Sequence, residues 1–278
     1  MIRLVATDID GTLVEEGKNN INTELHDIVC ELKKKGIVFA AASGRQYFNV
    51  RRLFEPVDHD MIFIAENGAY VVCRDVEIDV VAIERELVAG LVEDMRKLEN
   101  CRFVACAKDA LYVESKDEEF IDLLVNGYKY IVEIVDDVLT VESSIIKLSI
   151  FKKDDIDSIA EEISPKWNDK LKVVVSGQDW MDFMELSVDK GAAIEKIQRT
   201  LGIAIEETMV FGDNLNDIGM FARAGESFAV GNARPEVKAA AKHIADTNVN
   251  HGVLKVLKAL LEKMEQIKEE SEGHKNDV

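Results

Sequence analysis

The chain has few of the residues that characterise secreted or membrane-spanning proteins. It contains 4 cysteines and 3 prolines among 278 residues, and its amino-terminal segment shows no charged region followed by an apolar signal core. No apolar run reaches the length of a membrane-spanning helix. Because the cysteines lack the paired spacing of metal ligands, we expect reduced, buried thiols at Cys30, Cys73, Cys101 and Cys106. These absences predict a cytoplasmic protein with no membrane partner.

Basic residues are also in the minority. The chain has 34 Lys and Arg against 53 Asp and Glu, which gives a formal net charge of -19. A nucleic-acid partner is not expected, because phosphate backbones are bound by neutralising Lys and Arg side chains. A small phosphate compound at one locally positive site remains compatible with this charge. With 47% hydrophobic residues, the chain can bury a large core and is long enough for two domains.

Two segments of the sequence alternate apolar strands with helices. The first runs from Ile2 to Tyr70 and the second follows Asp189. Their strands are continuous apolar runs, which is typical of a parallel sheet covered on both faces. The predicted strands span residues 2–7, 37–42, 61–65, 208–211, 227–230 and 243–245. The predicted helices begin at Thr23, Arg45, Lys190, Asn216, Pro235 and Val253, and residues 269–278 form a frayed polar tail.

The segment between these halves has a different pattern. Neighbouring strands joined by turn-like links predict an α+β unit with a largely antiparallel sheet. Its predicted strands span 102–106, 110–114, 145–151, 171–175 and 181–186, and its helices span 84–98, 117–126 and 154–164. We therefore expect an α/β protein: a Rossmann-like, doubly wound parallel-sheet core (1–80 and 186–278) with an inserted α+β cap (81–185) that could act as a lid.

Two carboxylates end the first predicted strand, in the stretch Asp8-Ile9-Asp10-Gly11-Thr12-Leu13. Isolated carboxylates at the end of a buried strand carry a desolvation cost. In open α/β sheets the carboxyl ends of the strands are where ligands bind. A strand-terminating turn is the alternative, because Asp and Gly are common turn residues. The placement favours a catalytic pair.

Two further stretches offer groups that could hold an oxyanion. Ser43-Gly44-Arg45 follows the second strand and presents a hydroxyl and free amides at a helix start; an ordinary Ser N-cap would look the same. Lys190 begins a helix, where a cation opposes the helix dipole. A residue placed against its local preference is a candidate functional residue, although an exposed lysine capped by Asp189 is an alternative.

A second pair of carboxylates follows a later strand, in Gly212-Asp213-Asn214-Leu215-Asn216-Asp217. A helix-capping turn would explain it locally. If Asp8, Asp10, Asp213 and Asp217 converge on one edge of the sheet, they repel one another, and a divalent cation is the natural compensation. Oxygen-only ligands favour a hard ion such as Mg²⁺. A carboxylate nucleophile, a second carboxylate, a metal and groups for an oxyanion suit phosphoryl transfer through an aspartyl-phosphate.

These four stretches, in this order, resemble the four motifs of the haloacid dehalogenase superfamily of phosphohydrolases. The inserted unit resembles the larger α/β cap, of type C2B, that marks the Cof-type branch, and Asn67-Gly68 also resembles that branch. The resemblance spans nearly the whole chain. It implies a Mg²⁺-dependent phosphatase that acts on small phosphorylated metabolites, with sugar phosphates as the expected class and specificity set by the cap.

The resemblance also implies a role for each matching residue. Asp8 would attack phosphorus and bind the metal. Asp10 would protonate the leaving oxygen and then activate water, while its backbone carbonyl binds Mg²⁺. Asp213 would complete the metal shell, and Asp217 would bind the metal through water or orient Asp213. The remaining matches would hold the phosphoryl group or order the loops around it: Thr12, Ser43, Gly44, Arg45, Lys190 and Asn216.

Two other functions are compatible with the sequence. A phosphomutase would return the phosphoryl group to a sugar, but the cap shows no obvious second phosphate site. A phospho-ligand-binding regulatory protein would be expected to lose Asp8, Asp10 or Lys190, and all three are present. The presence of Asp10 as a general acid and base favours hydrolysis. The sequence does not set the oligomeric state, and a monomer is compatible with it.

Overall fold

Two sheets, one inserted into the chain of the other, organise the molecule. A computed structural model describes residues 1–15, 18, 20–176 and 178–273. The last helix reaches Gly273, so part of the predicted polar tail is helical, and residues 274–278 lie outside the described range. Within the described residues, no helix is both long and apolar enough to cross a membrane.

The first part of the chain alternates strands and helices as predicted and then adds a hairpin. Its elements are β1 (Leu4–Asp8), α1 (Glu24–Lys34), β2 (Val38–Ala42), α2 (Tyr47–Leu53), β3 (Ile62–Ala65), β4 (Tyr70–Cys73) and β5 (Val76–Val80). All five residues of β1 are buried. On α1 the residues Leu25, Ile28, Val29 and Leu32 face the core, which fits the 3.6-residue period of an amphipathic helix.

The middle part of the chain forms the second sheet and its helices. Its elements are α3 (Arg85–Met95), β6 (Arg102–Ala107), β7 (Leu111–Val113), α4 (Glu118–Asp122), β8 (Val132–Ile134), β9 (Ile145–Phe151), α5 (Ile156–Trp167), β10 (Lys172–Ser176) and β11 (Trp180–Met184). The strand order is β10-β11-β9-β6-β7-β8. Among the strand pairs of the described residues in this sheet, only β7–β8 is parallel, so the sheet is largely antiparallel, as the sequence predicts. We call this inserted unit the cap.

The last part of the chain returns to the first sheet. Its elements are α6 (Lys190–Leu201), β12 (Thr208–Gly212), α7 (Ile218–Phe221), β13 (Glu226–Ala229), α8 (Pro235–Ala240), β14 (His243–Ile244) and α9 (Gly252–Gly273). Within the part of the chain that the structure describes, this sheet has eight strands in the order β14-β13-β12-β1-β2-β3-β4-β5. We call this unit the core. The α/β fold with an inserted cap is thus the one that the sequence predicts.

The core sheet also contains an antiparallel hairpin, β4–β5, that the sequence did not predict. The strands from β14 to β3 pair in parallel, whereas β4 runs antiparallel to both β3 and β5. Three successive residues with positive φ reverse the chain between β3 and β4: Glu66 (48°), Asn67 (57°) and Gly68 (105°). Apart from Gly, residues rarely adopt this conformation, and the sequence pattern does not reveal it at Glu66.

Other predictions also need correction. Pro165 lies inside α5, where a helix end was predicted before it. The helix predicted over 117–126 is only five residues of α4 followed by a π-helical turn, Leu123–Gly127. The strand β8 was not predicted, because it is short and its Glu133 and Ile134 are exposed. All four cysteines are free, but only Cys106 is buried; Cys30 is exposed and lies outside the buried set of α1.

Candidate active site

The carboxyl ends of neighbouring parallel strands bring the predicted motifs together. Strand β1 lies between β12 and β2, with Thr7 opposite Phe211 and Asp8 opposite Ala42. Asp8 is therefore the last residue of its strand, beside the turn that begins at Asp213 and the one that begins at Ser43. The sheet topology places the first, second and fourth motifs along one edge, where an open α/β sheet binds its ligands.

Asp8 is a buried carboxylate in a charged environment. Its Oδ1 accepts a hydrogen bond of 2.6 Å from Lys190 Nζ. Its Oδ2 is buried and has no hydrogen-bond partner among the described residues. Burial, together with the negative charges of Asp217 and Asp213, raises the pKa of Asp8 well above its ordinary value, while Lys190 opposes the rise. One Asp8 oxygen is thus held in place and the other is available to an electrophile or cation.

Lys190 is the first residue of α6, and its side chain reaches the Asp8 carboxylate. The N-cap of α6 is Asp189, whose side chain accepts hydrogen bonds from Gly191 N (2.7 Å) and Ala192 N (3.2 Å). The Lys190 side chain is fully buried and lies 2.6 Å from Asp8 and 2.7 Å from Asp217. Burial alone would lower the pKa of Lys190, but these two carboxylates raise it. The residue is therefore a buried cation.

Asp8, Asp213 and Asp217 form a cluster in which one oxygen from each lies within 4.8 Å of the others. Asp217 is fully buried, and its Oδ2 accepts hydrogen bonds from the backbone amides of Asp213 (2.9 Å) and Asn214 (3.0 Å). Asp213 receives a hydrogen bond of 2.8 Å from Thr12 Oγ1. Burial raises the pKa of Asp213, and the negative charge of Asp217 adds to the rise. The cluster offers only oxygen atoms, the donor set of Mg²⁺.

Gly11 allows this close approach. Its φ is +81°, and a Cβ at this position would lie 2.4 Å from Asp213 Oδ2. A side chain would therefore collide with the carboxylate, and an L residue would also be strained at this φ. Both requirements explain why the turn after Asp10 carries glycine.

Asp10 lines the same cavity as Asp8 and Asp213 but is not a member of the Asp8, Asp213 and Asp217 cluster. Arg45 donates to Asp10 through Nε (2.7 Å to Oδ2) and through a second, short contact from Nη2 to Oδ1. The same guanidinium donates to the carbonyl of Lys18 at 2.9 Å. Arg45, expected among the groups that hold the substrate, is thus placed against the carboxylate expected to carry the proton.

The remaining predicted residues lie around a second loop. Ser43 is buried, and its Oγ accepts a hydrogen bond of 3.1 Å from Arg45 N. A Cβ on Gly44 would lie 3.1 Å from Asn67 Nδ2, and Asn216 donates to Asn67 Oδ1 at 2.9 Å. Asn67 therefore joins these loops and belongs to the site. The Asn67-Gly68 turn was the sequence signal that pointed to it.

A cavity of about 1080 Å³ lies between the core and the cap. Asp8, Asp10 and Asp213 line it from the core. The cap contributes residues that the sequence did not assign: Tyr128, Tyr130, Lys147, Ser149, Trp180 and Asp182. A charged residue within the apolar strand Ile145–Phe151 was the available signal for Lys147. Phe183 packs in the cap core, whereas Trp180 is only partly buried and also faces the cavity.

Comparison with known proteins places this geometry in a family. The model of the haloacid dehalogenase-like hydrolases matches residues 5–257. The chain is 30% identical to 5-amino-6-(5-phospho-D-ribitylamino)uracil phosphatase YbjI of Escherichia coli K12 over 94% of this chain and 96% of the relative. It is 28% identical to YcsE of Bacillus subtilis, a phosphatase of the same compound, over 92% of this chain and 95% of the relative. The crystal structure of a protein from Eubacterium rectale superposes on this chain with a TM-score of 0.88. The two sequences are 34% identical, and the match covers 93% of this chain and 99% of that one.

Proposed function

The chain belongs to the haloacid dehalogenase-like hydrolases, and we propose that it is a Mg²⁺-dependent phosphatase that hydrolyses small phosphorylated metabolites through a phosphorylated Asp8. The observation that carries the proposal is the grouping of Asp8 with Lys190, Asp213 and Asp217. Asp10, which is paired with Arg45, lines the same cavity. A buried nucleophile, a buried cation and a separate proton carrier are what phosphoryl transfer to a carboxylate requires.

The first step transfers the phosphoryl group to the protein. Asp8 Oδ2, which has no hydrogen-bond partner among the described residues, attacks phosphorus and forms a new P–O bond. The bond from phosphorus to the substrate oxygen breaks, and Asp10 delivers a proton to that oxygen as it leaves. Lys190, 2.6 Å from Asp8 Oδ1, balances negative charge around the transferring group. Ser43 Oγ and the Gly44 amide would hold its oxygens.

The second step returns Asp8 to its starting state. Asp10, now deprotonated, takes a proton from a water molecule, whose oxygen attacks phosphorus. The bond between phosphorus and Asp8 breaks and inorganic phosphate leaves. Because Arg45 donates to both oxygens of Asp10, this guanidinium would fix the direction of the carboxylate in both steps.

The residues present fit a Mg²⁺ ion. Asp8, Asp213 and Asp217 provide oxygen ligands alone, and one oxygen of each lies within 4.8 Å of the others. Two of the carboxylates have raised pKa values because they are buried near one another, which a cation would relieve. When bound, the ion would neutralise charge on the phosphoryl oxygens. Asp217, whose Oδ2 accepts two backbone hydrogen bonds, would orient Asp213.

We further propose that the substrates are sugar or polyol phosphates. Two relatives that align with more than nine-tenths of this chain are phosphatases of a phospho-D-ribitylamino compound. The cavity of about 1080 Å³ is large enough for a leaving group of this size, since ligand pockets typically measure about 300 to 1000 Å³.

A phosphate-release screen tests the proposal. Wild type, Asp8→Asn, Asp10→Asn and the surface control Asp136→Asn would be assayed with sugar phosphates, nucleotides, pyridoxal phosphate and flavin mononucleotide. We expect Mg²⁺-dependent release by wild type and by the control, and none by Asp8→Asn. Asp10→Asn should lower kcat by about 10² to 10⁴, the usual contribution of a general acid and base.

Three outcomes would contradict the proposal. Phosphate release by wild type that is no greater than release by Asp8→Asn in excess Mg²⁺ would show that the protein is not a phosphatase. Conversion of a hexose 1-phosphate into its isomer without free phosphate would indicate a mutase. Tight binding of a phospho-compound without release would indicate a regulatory protein.

A further inference from the structure

A polar patch on the cap sheet faces the cavity. Lys147 and Ser149 are two residues apart on β9, so their side chains share one face of the sheet. Asp182 of β11 lies directly opposite Ser149. The other face carries Leu148 and Ile150, which pack against Ile159 and Ile163 of α5. The patch is therefore the cap surface that closes over the core.

The core contributes one residue to this patch. Glu66 is 1% exposed, and its Oε2 lies 2.5 Å from Lys147 Nζ. The turn that carries Glu66 is tied to the phosphate-side loop, because Glu66 N donates to Arg45 O at 3.0 Å and Asn67 N donates to Ser43 O at 2.9 Å. The Glu66–Lys147 ion pair thus lies beside the groups expected to hold the phosphoryl group.

The hydrogen-bonding capacity of the patch is only partly used within the described residues. Ser149 Oγ donates to Asp182 Oδ1 at 2.6 Å. Glu66 Oε2 is buried and accepts no hydrogen bond of normal geometry, despite its contact with Lys147. Lys147 has three N–H donors, with Glu66 at 2.5 Å and Asp182 at 4.0 Å. Because buried polar groups are normally hydrogen-bonded, the remaining sites indicate a ligand.

The charges of the patch select the chemistry of that ligand. Two carboxylates surround one ammonium group, so a second phosphate or carboxylate would be repelled by Glu66 and Asp182. A hydroxyl group can donate to a carboxylate and accept from Lys147 at the same time. We propose that Glu66, Lys147, Ser149 and Asp182 bind the hydroxyl groups of a neutral polyol or sugar leaving group and disfavour a second phosphate. This inference rests on the proposed phosphatase activity.

The test compares two substrates that share the reaction and differ in the leaving group. D-sorbitol 6-phosphate offers hydroxyl groups to the patch, whereas phenyl phosphate offers none. The ratio of kcat/KM for the two would be measured for wild type, Lys147→Met, Asp182→Asn and Ser149→Ala. Lys166→Met is the control, because Lys166 is an exposed lysine of α5, on the helix that packs on the other face of the cap sheet.

We expect the ratio to fall about tenfold or more in Lys147→Met and Asp182→Asn, mainly through KM, because each loses hydrogen bonds to a charged group. The control should keep the wild-type ratio. D-fructose 1,6-bisphosphate should be a poorer substrate than sorbitol 6-phosphate for wild type, and Lys147→Met should not improve it.

Equal losses of kcat/KM for both substrates, or a wild-type preference for the bisphosphate, would overturn the inference. If Lys147→Met does not fold, Ser149→Ala decides, because it removes one hydroxyl and leaves every charge in place; an unchanged ratio in that variant would also overturn it. If wild type hydrolyses neither phenyl phosphate nor any sugar phosphate, the proposed function itself fails. Hydrolysis of phenyl phosphate without a preference for sorbitol 6-phosphate would refute the polyol site alone.

Discussion

At the scale of single residues, Asp8 and Asp10 are separated by one residue, and the pairing of Asp10 with Arg45 gives them different surroundings. Asp8 is buried among carboxylates and Lys190, whereas Asp10 is partly exposed and held by a guanidinium. A planar guanidinium that donates through two nitrogens fixes the orientation of a carboxylate as well as its position. The same two side chains could not exchange roles, because only Asp8 lies next to Asp213 and Asp217.

Replacing Arg45 should therefore impair the proton transfer that we assign to Asp10. We expect Arg45→Gln to lower kcat by about 10- to 100-fold, since hydrogen bonds to charged groups contribute about 1.5 to 3 kcal/mol. Steady-state phosphate release would measure the effect. Arg74→Gln is the matched control, because Arg74 makes an exposed ion pair with Asp60, and such pairs contribute little. Equal activity of the two variants would show that Arg45 does not orient Asp10.

At the scale of elements, the amino-terminal end of α6 connects the helix to the chemistry. Asp189 caps this end through the amides of Gly191 and Ala192. The Asp189 carboxylate offsets the unfavourable placement of a cation at Lys190, because a negative charge at a helix start is stabilised by the helix dipole. Backbone packing adds to this anchoring, since a Cβ on Gly68 would lie 2.6 Å from Asp189 O. Asp189, as the N-cap residue of α6, thus sets the position of the buried Lys190 ammonium group.

Removing this helix cap should reduce both stability and turnover. We expect Asp189→Ala to lower the free energy of unfolding by about 0.5 to 2 kcal/mol and to lower kcat, because Lys190 would lose its fixed position. Asp117→Ala is the control. Asp117 is the N-cap residue of α4 in the inserted cap domain, where its side chain accepts hydrogen bonds from two backbone amides, and it also pairs with Arg102. Denaturant unfolding and phosphate release would be compared. A kcat loss of the same size in both variants would contradict the positioning role of Asp189.

At the scale of the whole molecule, the carboxylates of Asp8, Asp213 and Asp217 repel one another at the edge of the core sheet. Burial and neighbouring carboxylates raise the pKa values of Asp8 and Asp213 above 3.8. Without metal, the folded protein therefore holds protons that the unfolded chain releases above about pH 4. The free energy of unfolding then decreases as the pH rises from that value through the raised pKa values. A cation can replace these protons at neutral pH.

Mg²⁺ should accordingly stabilise the protein more at pH 7.5 than at pH 5. We expect an increase in Tm of a few degrees at pH 7.5, since about 1 kcal/mol shifts Tm by about 2 to 4 °C in larger domains. Asp213→Asn should raise the Tm of the metal-free protein and remove most of the response to Mg²⁺. Calorimetry with Asp136→Asn as a control, a carboxylate that is 94% exposed, would measure these shifts. An unchanged Mg²⁺ response in Asp213→Asn would contradict the assigned ligand.

Local sequence patterns predicted most of the elements, and the exceptions have identifiable causes. The start of α6 and the bounds of β9 match their predictions, because a capping Asp189 and an apolar run mark them in the sequence. The β4–β5 hairpin was missed because the turn before it uses a non-glycine residue, Glu66, at positive φ. The end of α5 was placed too early because Pro165 occurs in its last turn, where buried Trp167 still packs and donates to Asp94.

The sequence by itself determined the fold class, the family resemblance and the candidate residues, because these depend on residue types and spacings along the chain. Only the tertiary structure decided which charges meet. Lys190 lies 182 residues from Asp8 in sequence and 2.6 Å from it in space, Arg45 turned out to hold Asp10, and Glu66 of the core pairs with Lys147 of the cap. Such pairings depend on strand order and on the closure of the cap over the core, and no local pattern encodes either.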